Sequence, residues 1–86
     1  MTQTARTVPT RGEIDDESRK IRRLGIAVSL TMQVIAQGGV SLAEAQEMTS
    51  ATQKLAETLF PGKESVYDIL YGRKFQRLIA SVYRLN

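Results

Sequence analysis

Chemistry in this chain has to be done by carboxylates and cations, because its 86 residues contain neither histidine nor cysteine. That inventory excludes imidazole or thiolate metal sites and Ser/His or Cys/His nucleophilic catalysis. None of the nine acidic residues sits in an apolar run that would raise its pKa into the range of a general acid. Gly38-Gly39 lacks the Gly-Lys-Ser/Thr continuation that a phosphate loop needs. No enzymatic activity, metal or cofactor is expected. What remains is a set of cations, above all Arg73, Lys74, Arg77 and Arg84, all of which follow the last acid, Asp68. Arginines aligned along a helix could neutralise phosphates, each contact adding roughly 0.9 to the salt slope of duplex binding. The same face is also what a helix with an apolar opposite side carries simply to be solvated.

These cations must be positioned by helices, since the apolar spacing is helical throughout and strand-like alternation is absent. The organising stretch is 21–36, the most apolar run in the chain. At about 100° per residue, Ile21, Leu24, Val28, Met32 and Ile35 form one stripe, while Ile26, Leu30 and Val34 lie on the opposite side. Apolar residues on both sides call for two partners. One is the rest of this chain, and the other is a second copy, so a homodimer with Ile26, Leu30 and Val34 at its interface is expected.

The first helix is predicted over about 13–37. Thr10 and Glu13 have capping-box spacing, and Asp15 with Arg19 and Asp16 with Lys20 stand acid-first at i,i+4. Gly38-Gly39 ends it, because glycine takes the left-handed cap conformation. Ser41 with Glu44 opens a second helix over 41–59, whose inner face carries alanine and threonine and so permits a close approach to the first. Pro61 and Gly62 break the pattern, and Ser65 with Asp68 has the spacing of a third cap. In the last helix Tyr71, Phe75, Leu78, Ile79, Val82 and Leu85 share one face, with Arg73, Arg77 and Arg84 opposite. Gly72 kinks or splits this helix, at about 1 kcal/mol relative to alanine.

The fold class is therefore all-α: a small bundle of three to four helices, a hairpin plus a C-terminal helix, with a single domain over 12–86. Residues 1–11 are Thr-rich, too poor in apolar side chains to offset the entropy of ordering, and are expected to be a disordered tail. The uncharged span 24–43 has about the length of a bilayer, but its serine, threonine, glutamine and Gly-Gly content reads as a helix and turn in water, so no membrane association is expected. Nothing at the start of the sequence has the apolar core of a secretory signal, and the cytoplasm is the expected location.

From Leu55 the chain reads LAETLFPGKESVYDILYGRK. This stretch, 55–74, resembles the helix-turn-helix core of Cro/repressor-type DNA-binding domains, in which a Leu-Ala-Glu-x-Leu helix precedes a short turn and a Ser/Thr-Val-x-x-Ile-Leu recognition helix ending in Gly-Lys or Gly-Arg. Ala56 matches the point where the two helices touch, and Leu55, Leu59, Val66 and Ile69 match the buried positions. The resemblance implies a small DNA-associated regulatory protein whose segment 63–71 faces the major groove, with Lys63, Ser65 and Tyr67 among the contacts; in such a protein the cations of the last segment, Arg73, Lys74, Arg77 and Arg84, would meet phosphates. At the turn, Phe60 and Pro61 replace the family's glycine and small apolar residue. An uninterrupted helix over 41–59 would also depart from the family, which favours a separate short helix ending at Leu59. The competing reading is a homodimeric helical module that docks onto a protein partner and does not bind nucleic acid.

Overall fold

The computed structural model describes residues 10–84, so most of the expected tail lies outside the described residues. Its last two positions belong to the helix instead: Thr10 is the N-cap and Arg11 the first residue of α1 (Arg11–Ala36). Then follow α2 (Leu42–Leu59), α3 (Glu64–Tyr67), a π-helical turn (Asp68–Gly72) and α4 (Arg73–Tyr83). The described residues are all-α, and the last three segments run on without a break as one rod.

Two of the three predicted caps form as full boxes. Thr10 Oγ1 accepts from Glu13 N at 3.1 Å while Glu13 Oε1 accepts from Thr10 N at 2.8 Å. Ser41 and Glu44 repeat this at 3.1 and 2.8 Å. Each cap is worth about 1 kcal/mol to its helix. The third does not form. Gly62, at φ +81°, turns the chain so that Lys63 becomes the N-cap, with no side-chain hydrogen bond, and Ser65 falls inside the first turn.

The rods run up, down and up. Gly38, at φ +73°, reverses the chain after α1, and at the far end of α2 Leu59 lies near Arg22, Arg23 and Ile26. The α4 rod returns to the first loop, where the Tyr83 hydroxyl donates to the Val40 carbonyl at 2.6 Å. Between the rods sits a core of Leu24, Val28, Ile35, Ala45, Ala56, Tyr67, Phe75 and Ile79. The alanines keep the α2 surface low, and the ridges of α1 and α4 settle against it. Among the described residues Thr52 is the one buried polar side chain. Its hydroxyl donates to the Thr49 carbonyl at 2.8 Å, so the Tyr67 hydroxyl, 2.9 Å away, is the donor to Thr52 Oγ1. The α4 stripe is as predicted, with Phe75 and Ile79 buried and Tyr71, Leu78 and Val82 half-buried, while Leu85 lies outside the described residues.

One member of the α1 stripe is not in the core. Ile21 is 60% exposed. At 1.5 Å per residue, the 26 residues of α1 span about 39 Å and the 18 of α2 only about 27 Å, so roughly the first two turns of α1 overhang, while Ile21 lies inside that limit, on the wall of an open groove with Leu24, Ala56 and Phe60. No described helix is long and apolar enough to cross a membrane.

Candidate interaction surfaces

Four surfaces follow from this arrangement. The outer side of α1 faces away from the core and carries Ile26 at 54%, Leu30 at 56% and Val34 at 36% exposure, the three residues expected at a dimer interface. At i,i+4 spacing the three side chains line up as one open apolar stripe along the helix.

The second surface is a groove of about 390 Å³, floored by Leu24 and Ala56 and walled by Ile21, Phe60, Val66 and Leu70. The π turn adjoins it and contributes Leu70 and Tyr71 to its lining. Wide turns of this kind shift side-chain register within a continuous helix, and here Val66, Ile69 and Leu70 are left exposed while Tyr67 and Phe75 point inward. The Tyr67 and Tyr71 rings pack against each other with centroids 5.6 Å apart and planes tilted by 54°. Burial pushes the Tyr67 phenol above its ordinary pKa; the Thr52 hydrogen bond acts in the opposite direction and is the smaller influence.

The same register corrects part of the expected helix-turn-helix pattern. Ala56 is buried and Leu55 and Leu59 are half-buried, as anticipated, but Val66 and Ile69 are exposed where burial was expected. Tyr67, expected to contact DNA, is buried, because its ring covers α2 and its hydroxyl finds Thr52. Lys63 and Ser65 are exposed at the start of α3, and α2 runs unbroken from Leu42 to Leu59.

The basic surface lies on α4. Arg73, Lys74, Arg77 and Arg84 are all exposed, with Arg73 Nε 3.9 Å from Asp68 Oδ2 and Arg84 in the left-handed region, φ 57°, at the helix end. Arg73 and Arg77 are aligned by α4 itself, since Phe75 and Ile79 fix the opposite side in the core, whereas Arg84, expected on the same face, lies beyond the last helical residue, Tyr83.

The last surface was not singled out by the sequence reading. Every residue from 10 to 19 is exposed, including Ile14 at 49%, so the first turns of α1 stand clear of the body. Of the two anticipated ion pairs on this extension, Asp16 with Lys20 closes, at 3.3 Å. The available signal was Ile14, which lies seven residues before Ile21 and continues the inner stripe of α1 beyond the reach of α2. Comparison of the chain with family models, curated proteins and solved structures finds no match.

Proposed function

We propose that the protein is a self-associating helical interaction module with α1 at the centre of its contacts. The observation that carries this reading is the exposure of Ile14, Ile21, Ile26, Leu30 and Val34 along a single helix whose remaining apolar residues form the core. Burying a side chain of this kind contributes about 1.5–3 kcal/mol, so leaving five open is a standing driving force for association. Sedimentation equilibrium tests it. Association should appear with rising concentration into the micromolar range and weaken when exposed isoleucines of α1 are made polar. A stable monomer at high micromolar concentration would overturn it.

The exposed cations of α4 support a second reading, duplex binding through Lys63, Ser65, Arg73, Lys74, Arg77 and Arg84. Fluorescence anisotropy of a labelled duplex at about 50 and 200 mM salt separates the two, because phosphate-driven affinity falls steeply across that range. Binding that collapses at the higher salt and disappears in an Arg73→Glu, Arg77→Glu variant is expected of a DNA-associated protein. Indifference to the duplex at low salt is expected of the module.

A further inference from the structure

The extension at the start of α1 is a helix without a body to rest on. Residues 10 to 19 are exposed throughout, so these turns are held by their capping box and by continuity with the packed part of α1 rather than by tertiary contacts. Its large apolar residues are Ile14 and Ile21, which stand on one line of the helix with Ser18 between them and Gly25 beyond. Its charges are segregated along the axis. Glu13, Asp15, Asp16 and Glu17 come first, and Arg19, Lys20, Arg22 and Arg23 follow.

We infer that the occupant of this stripe is the same extension of a second copy, laid antiparallel about a two-fold axis near Ser18. At about 100° per residue, Glu17 and Lys20 lie to one side of the Ile14–Ile21 line, Glu17 the nearer, and Asp15 and Arg22 lie to the other, roughly a quarter-turn away; Lys20 also pairs with Asp16 of its own chain at 3.3 Å. In an antiparallel pair each edge meets the same edge of the partner, end for end. Asp15 of one protomer then faces the partner's Arg22, Glu17 faces the partner's Lys20, and Ile14 packs beside the partner's Ile21. A parallel pair would set acid beside acid and base beside base, which is destabilising. The open groove favours the antiparallel arrangement further, since Val66 and Leu70 stand across from Ile21 and extend the apolar ground under the incoming helix. This assignment rests on the self-associating reading above and moves the dimer contact away from Ile26, Leu30 and Val34, which stay available on the outer face.

The absence of native cysteine makes site-directed disulfide trapping in the full chain a direct test. A Cβ added at Gly25 has open space around it, so Gly25→Cys is tolerated, and Ser18→Cys and Arg11→Cys change exposed positions. Under mild oxidation Ser18→Cys should form a covalent dimer. Arg11→Cys and Gly25→Cys proteins, mixed in equal amounts, should give mixed disulfides in excess of the half expected from random pairing. Predominance of like-with-like disulfides would overturn the antiparallel register. Cross-linking of a Gln33→Cys protein while Ser18→Cys stays monomeric would place the second copy on the outer stripe, overturning this inference and leaving the module reading intact. A monomer by sedimentation, with no trapping at any of these positions, would remove both.

Discussion

Thr52 and Tyr67 are joined by a hydrogen bond that the sequence does not announce. Thr52 is legible as a member of the inner face of α2, but its partner lies fifteen residues on, across a turn, and only the packed structure shows that Tyr67 points inward. Losing a buried hydrogen bond costs about 1 kcal/mol, so Tyr67→Phe should lower the unfolding free energy by that amount, read from urea melts at neutral pH. The cost should shrink in alkali. The folded phenol has a raised pKa, so its contribution is complete below the pKa of an unfolded tyrosine, about 10, and is lost as pH rises through the folded value. Wild type should therefore lose stability above about pH 10 relative to Tyr67→Phe. Melts whose separation stays constant across that range would show that burial of the phenol is not the cause.

At the scale of elements, what was legible was local. Both capping boxes and both glycine turns depend on residues within three or four positions of each other, and they appear where the pattern puts them. The π turn depends on something else. Gly72 promised a kink, but the form it takes is set by Tyr67 and Phe75 both reaching the core from the same rod, which no local propensity encodes. Gly72 itself is helical in conformation, and the Asp68 side chain folds over it, so that a Cβ there would lie 2.5 Å from Asp68 Oδ1. Gly72→Ala consequently has two opposed effects: a helix-propensity gain of about 1 kcal/mol, and displacement of Asp68 from Arg73, an exposed pair worth about 0–1 kcal/mol. The single change should be close to neutral in a thermal melt. Made on an Asp68→Ala background, where the obstruction is gone, the same change should stabilise by about 0.5–1 kcal/mol. A loss in both backgrounds would mean that the π turn needs glycine for its backbone rather than for room beside Asp68.

For the molecule as a whole, the second apolar stripe of α1 was legible because opposite faces of one helix cannot both pack on a single small body. The overhang was not, because it depends on where α2 ends relative to α1, a comparison of two helix lengths in space. Together they leave a slender fold, 57 × 21 × 16 Å, with much of its longest helix uncovered. If association covers α1, the folded state is favoured by mass action, and the melting temperature must rise with protein concentration. Ile14 and Ile21 separate this effect from ordinary core stability, since both are exposed and neither belongs to the core cluster. An Ile14→Ser, Ile21→Ser variant should match wild type in dilute solution, where monomers dominate, and fall progressively behind it as both are concentrated. Equal melting temperatures at every concentration would mean that these side chains contribute nothing to association. A fixed deficit at every concentration would instead place Ile14 or Ile21 in the fold of the single chain, against their exposure on α1.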